Sequence, residues 1–167
     1  MAVALRSWAR NDLAMDAMRV EPRDTRVTAL LDELTSELAL GGYTADQTFG
    51  YSIEQLEQTD VHLVGVAVAG QLVGVGGLEL QGKVGELKRF FVAPKHRGAG
   101  VADAILAALL EIALARDVEV VRLETGDKQR AAIAFYRRHG FAEISRFGPY
   151  VNSETSVCME RRLAPAG

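Results

Sequence analysis

The stretch Arg97-Gly98-Ala99-Gly100-Val101-Ala102 joins an apolar run, Leu87 to Val92, to a segment of helical periodicity that starts at Val101. A glycine-punctuated turn opening a helix leaves several backbone N–H groups unpaired at the positive end of the helix dipole, where an anion such as phosphate is stabilised. Glycine lets the backbone come close to a ligand and adopt turn dihedrals that a Cβ disfavours. Arg97 adds a permanently charged, multi-donor side chain at the mouth of the loop. The loop alone is equally compatible with an ordinary strand-to-helix connection. What surrounds it decides between the two.

The chain before the loop reads as strand, helix and meander. Ala17 to Glu21 has the pattern of a short strand ended by Pro22. Val27, Leu30, Leu31, Leu34 and Leu38 then fall at helical spacing, with Asp24 as N-cap and Gly41-Gly42 as stop. Between Gly41 and Asp60 the pattern dissolves into polar residues, except that Ser52-Ile53-Glu54-Gln55 has capping-box spacing and predicts a short helix to about Gln58. A polar, aromatic-bearing insertion of this kind suits a binding loop. Val61 to Ala69, Leu72 to Leu80 and Val84 to Val92, separated by Gly70-Gln71 and Gly82-Lys83, predict an antiparallel meander.

After the loop, Val101, Ile105, Ala108, Leu109 and Ile112 form the stripe of a second long helix. Val118 to Glu124 is rich in β-branched residues; reached by a right-handed crossover, it is expected to run parallel to the strand before the loop. Lys128 to His139 reads as a helix stopped by Gly140, and Phe141 to Ile144 and Ser156 to Arg161 as two last strands. The order is mixed β and α around one sheet, without repeat or linker: one domain over residues 17–167, preceded by an extension, residues 1–16, expected to be poorly ordered.

Charge and composition narrow the partners. The net charge is −3 and there is no long basic run, so the electrostatic footprint of a nucleic-acid binder is absent; a mildly acidic surface is compatible with a cationic amine. No apolar stretch approaches the length of a membrane span, and the first sixteen residues, carrying Arg6, Arg10, Asp12 and Asp16, lack the apolar centre of a secretory signal. Cys158 is the only cysteine, which forbids an intrachain disulfide and suits a reducing, cytoplasmic home. Its apolar surroundings predict a buried, inert thiol. His62, His96 and His139 have no metal-ligand spacing, and no metal is expected.

No Lys-Ser or Lys-Thr follows a glycine, and the dinucleotide spacing of three glycines is not met. The loop also follows a meander, whereas a Rossmann loop opens the first β-α-β unit. Three pieces together identify a different family. Arg97 to Ala102, preceded by Val92-Ala93-Pro94, resembles the V-x-P-x-x-R-G-x-G segment of the GNAT superfamily of acetyl-coenzyme A dependent N-acetyltransferases. Gln129 to Phe141, with Ala132, Tyr136 and Gly140-Phe141 at matching offsets, resembles its N-x-x-A-x-x-x-Y-x-x-x-G-F, with Gln129 replacing the usual Asn. The ending from Phe147-Gly148-Pro149-Tyr150 to Met159-Glu160 is similar to that of bacterial small-molecule members.

The resemblance implies an α/β fold with one mixed, mostly antiparallel twisted sheet and flanking helices, and transfer of the acetyl group of acetyl-CoA to a primary amine of a small molecule by direct attack. It also implies that the pyrophosphate of the cosubstrate rests on the amides of Gly98, Ala99, Gly100, Val101 and Ala102, with Arg97 beside it. The pantetheine arm would pair with the main chain of Phe90-Phe91-Val92, and Gln129 would bind the cosubstrate or hold the strand gap. The Phe90 N–H would act as oxyanion donor, and Tyr136 as the acid that protonates the leaving thiolate. On spacing alone Tyr136 reads as core.

Glu86 matches a position that some members use as base. Period two puts it on one strand face with Lys88, Phe90 and Val92, and pairing with Lys88 or Arg89, or drainage of the proton by water, are its alternatives. Tyr43, Phe49, Tyr51, Arg89, Tyr150 and Asn152 are expected around the acceptor. Arg89 suits a substrate carboxylate, as in an amino acid, or an exposed surface site. Acetylation of a protein N-terminus or lysine, and a non-catalytic acyl-CoA sensor, are the other functions open to such a chain. Dimerisation through the final strands is compatible with the family.

Overall fold

The computed structural model describes residues 15–164; apart from Met15 and Asp16, the N-terminal extension expected at residues 1–16 lies outside the described residues. Strand β1 (Ala17–Arg19) leads into helix α1 (Thr25–Leu40), which begins where the Asp24 carboxylate accepts the amide of Arg26 at 2.9 Å and buries Val27, Leu30 and Leu31. Helix α2 (Ile53–Gln58) carries the predicted box: Ser52 and Gln55 cap each other reciprocally. Strands β2 (Val61–Val68), β3 (Gln71–Gln81) and β4 (Val84–Val92) form the meander. Helix α3 (Val101–Ala115), strand β5 (Val120–Gly126), helix α4 (Arg130–Arg138) and strands β6 (Ala142–Ile144) and β7 (Ser156–Arg162) complete the chain.

The seven strands form one sheet in the order β1-β2-β3-β4-β5-β7-β6, antiparallel throughout except for the β4–β5 pair. One core lies on the α3 and α4 face, where Val101, Ile105, Leu106 and Leu109 meet Val73, Leu78, Leu87 and Leu123. The other lies under α1 and α2, built on Leu31, Leu56, Leu63 and Phe91. Cys158 is buried, as expected, and burial pushes its thiol pKa up.

Two irregularities in β4 build the site. Its parallel pairing with β5 extends only over Val84↔Val120, Gly85↔Val121 and Glu86↔Arg122, after which the two strands part. On the β3 side, Lys88 faces Gly77 and Phe91 faces Val75, so Arg89 and Phe90 oppose Gly76 alone: a β-bulge, with Arg89 at φ 52°. The bulge corrects the period-two expectation. Glu86 and Lys88 do share the α1 face, where they form an ion pair, but Phe90 and Val92 are turned to the α3 face.

Candidate active site

The loop before α3 presents its amides to open space. Gly98 and Gly100 have φ of 77° and 88°, and a Cβ on either would meet nothing within 4 Å. The Arg97 amide donates to Pro94 O and that of Ala104 to Gly100 O. Among the described residues, the amides from Gly98 to Asp103 find no backbone acceptor, and Gly100 caps α3 without any side-chain bond. This row of donors at a helix N-terminus suits a diphosphate. Arg97 is engaged elsewhere: its Nε donates to Val92 O at 2.9 Å, and its Nη2 lies 2.8 and 2.9 Å from the two carboxylate oxygens of Glu37 on α1.

Beside the loop, the parting of β4 from β5 opens a cleft of about 150 Å³. Ala93 donates to Val73 O, so residues 91 and 93 turn their peptide groups toward β3, and the alternation of an antiparallel ladder turns those of Phe90 and Val92 toward the gap. Phe91 itself is buried in the core under α1. Phe90, Gln129, Ala132 and Tyr136 line the gap from the α3 and α4 side. Tyr136 is 6% exposed among Phe90, Phe135 and Phe141. Burial raises its pKa, so the phenol stays a proton donor, and its hydroxyl has no hydrogen-bond partner among the described residues.

On the α1 side the cleft meets a knot of polar groups. Glu86, 4% exposed, accepts from Tyr150 Oη through Oε1 at 2.8 Å, and its Oε2 lies 2.9 Å from Lys88 Nζ and 3.3 Å from Gln81 Nε2. Both of its oxygens are thus engaged, and Glu86 does not line the cleft. Lys88 also donates to Tyr150 Oη at 3.0 Å and stands 4.3 Å from the centre of the Tyr51 ring. Burial and a hydrogen bond to Glu79 raise the Tyr51 pKa.

Arg89 offers no open fork for a substrate carboxylate. Its Nη2 donates to Leu31 O and Thr35 Oγ1 on α1, its Nη1 lies against Gly50, and its Nε is buried without a partner. Phe49 and Tyr150 line the cleft as expected, whereas Asn152 is exposed away from it. Tyr43 ties the insertion to the far side of the site: its hydroxyl donates to Asp127 Oδ1 at 3.1 Å and accepts the Lys128 amide at 2.7 Å. A Cβ on Gly126 would collide with that phenol.

Glu124, near the end of β5, is the site residue that sequence reasoning missed. It lines the cleft, its Oε1 accepts from Ser156 Oγ at 2.9 Å, and its second oxygen has no partner among the described residues. Burial pushes its pKa up to about 6 against the hydrogen bond from Ser156 and the attraction of Lys88, which lower it. The available signal was a carboxylate breaking the β-branched run of an interior strand, a position where an acid is costly unless it is used.

The fold recurs in known proteins. The chain is 33% identical over 147 residues to an IAA acetyltransferase of Azospirillum brasilense, covering 87% of this chain and 95% of that one. A crystal structure described as an acyl-CoA N-acyltransferase from Klebsiella pneumoniae matches with a TM-score of 0.76 at 34% identity, over 90% of this chain and 98% of that one. The PaiA N-acetyltransferase of Thermoplasma acidophilum, solved in complex with coenzyme A, shares the fold at 17% identity with a TM-score of 0.74, over 90% and 100% of the two chains. Among the described residues no helix is long and apolar enough to cross a membrane. The model of the Acetyltransferase (GNAT) family matches residues 27–141, from α1 to the end of the Tyr136 motif, and the chain is an acyltransferase belonging to that family.

Proposed function

We propose that this protein moves the acetyl group of acetyl-CoA to a primary amine of a small molecule, and that the two substrates meet through the gap between β4 and β5. The observation that carries the reading is the division of the gap by the sheet. The unpaired amides of Gly98 to Asp103 and the phenol of Tyr136 lie on the α3 and α4 side, and Glu124 and Tyr150 on the other. A small acceptor is supported by the insertion on that other side, whose Tyr43, Phe49 and Gly50 line the cleft and leave it about 150 Å³. The name of the Azospirillum relative also points to a small acceptor.

The residues divide the chemistry as follows. The amides of Gly98 to Ala102 hold the diphosphate, and Gln129, which lines the gap at the start of α4, contacts the arm of the cosubstrate. The Phe90 N–H donates to the thioester oxygen as it gains charge, a contribution worth roughly 3 kcal/mol where such donors have been removed. Glu124 takes the proton of the amine, a task its free oxygen and a pKa of about 6 suit better than the fully bonded Glu86. Tyr136 gives its proton to the departing thiolate, acting as the acid.

The test is a thiol-release screen with acetyl-CoA against amino acids, polyamines, aminoglycosides and arylalkylamines. Turnover with at least one amine is expected. Binding of coenzyme A by calorimetry without turnover of any amine would instead make the protein an acyl-CoA sensor.

A further inference from the structure

Tyr150 is held so that its hydroxyl can do only one thing toward the cleft. The ring is 2% exposed, meeting Phe49 edge-on at 5.0 Å between centroids and Phe147 at 5.3 Å. Its oxygen has two charged neighbours of opposite capability: a carboxylate, which only accepts, and an ammonium, which only donates. The hydroxyl hydrogen is therefore committed to Glu86 Oε1 at 2.8 Å, and one lone pair to Lys88 Nζ at 3.0 Å. One acceptor site remains on a residue that lines the cleft. Lys88 cannot supply a donor there, since its ammonium is engaged by Glu86, Tyr150 and the face of Tyr51. The free oxygen of Glu124, lining the same cleft, is a second acceptor.

We infer that Tyr150 and Glu124 act as paired acceptors that select a primary amine over its N-alkylated counterpart, with Tyr150 as the specificity-determining residue. The inference rests on the acetyltransferase reading above. An amine that attacks a carbonyl carbon aims its nitrogen lone pair at that carbon, which leaves two N–H groups on a primary amine. Glu124 takes one of them and the remaining lone pair of Tyr150 accepts the other. A secondary amine has a single N–H, so it leaves one buried acceptor unpaired and sets an alkyl group against an oxygen, a mismatch that polar sites reject strongly. Glu86 and Lys88 take no part in the transfer; they fix the direction of the Tyr150 hydroxyl.

The test pairs primary amines with their N-methyl derivatives in the thiol-release assay: glycine with sarcosine, benzylamine with N-methylbenzylamine, and butylamine with N-methylbutylamine, alongside the amines of the wider screen. The wild-type protein is expected to favour the primary member of every pair it turns over by about 10-fold or more in kcat/KM. Tyr150→Phe is expected to bring the ratio close to one while leaving the KM for acetyl-CoA unchanged, whereas a merely structural loss would slow both members alike. Glu86→Gln supplies a second variant: its amide donates to the Tyr150 oxygen, frees the hydroxyl to turn toward the cleft, and lowers the same ratio. Calorimetry with coenzyme A verifies that each variant is folded. Equal turnover of both members of a pair by the wild-type protein, or a preference unchanged in Tyr150→Phe, overturns the inference without touching the acetyltransferase reading. Absence of turnover with every amine overturns both.

Discussion

Glu86 and Glu124 stand on neighbouring strands of one sheet face, and their surroundings give them different work. Glu86 is tied through both oxygens, while Glu124 keeps one oxygen open and a pKa of about 6. With the carboxylate form of Glu124 as the proposed base, kcat/KM should contain an enzyme-borne limb that rises with pH through about 6, in addition to the limb set by the amine itself. Glu124→Gln should remove that limb. A profile unchanged by the substitution would take Glu124 out of the proton transfer. The same shift has a consequence for stability. Because the folded pKa is raised above the ordinary carboxyl value of 4.5, ionisation of Glu124 opposes folding; the cost is absent below pH 4.5, grows toward pH 6 and is complete above it. Glu124→Gln should therefore raise the melting temperature at pH 8 more than at pH 4. On the other side of the gap, Tyr136→Phe keeps the ring among its aromatic neighbours and removes only the hydroxyl that carries the proton. It should lower kcat by about 100-fold or more with coenzyme A affinity retained; full activity would return Tyr136 to the core reading that its spacing allowed.

The loop before α3 and the bulge in β4 are the elements that place these residues, and they differ in how far the sequence announces them. Gly98 and Gly100 declare the loop, since positive φ is inexpensive only without a Cβ. The space in front of Gly100 makes a clean test possible. Gly100→Asp meets nothing within 4 Å, so the fold should survive with about 1 kcal/mol of backbone strain, while the added charge repels a diphosphate. Coenzyme A affinity should fall by at least about 100-fold in calorimetry, and Gly100→Asn, equally tolerant of the backbone angle but uncharged, should lose much less. Equal losses in the two would show that shape, and not charge, governs the loop. Helix starts at Asp24 and Ser52, the meander and the parallel strand were readable because their signals are local: caps, turn glycines and apolar period. The bulge was not, because the residue that turns it is Arg89, and nothing in that side chain marks a positive φ. Its guanidinium is anchored 58 residues away on Leu31 O, a contact no window along the chain reveals. Tyr150, Glu86 and Lys88 are joined across similar distances, so their residue types were visible and their connection was not.

At the scale of the whole molecule the one sheet has two halves, joined only at one end of the β4–β5 pair. Strands β1 to β4 and strands β5, β7 and β6 share only the pairs from Val84↔Val120 to Glu86↔Arg122. Beyond them the halves are bridged by side chains: Glu86 and Lys88 on β4 with Tyr150 ahead of β7, and Tyr43 with the turn between β5 and α4. On the proposed function, a cosubstrate seated in the gap would supply what the missing ladder does not, pairing with the free peptide groups of β4 and resting on the start of α3, with α4 facing it from the other half. Coenzyme A at 100 times its dissociation constant should stabilise the fold by about 2.7 kcal/mol, which for a chain of this length corresponds to a rise of roughly 5 to 10 °C in Tm. Hydrogen exchange distinguishes bridging from binding at the loop alone. Protection should increase at the amides of Phe90 and Val92, at those of Gly98 to Asp103, and in residues 123–126 across the gap. Protection confined to Gly98 to Asp103 would mean that the ligand sits on the helix end without joining the halves, and the two substrates would then have no common ground between β4 and β5.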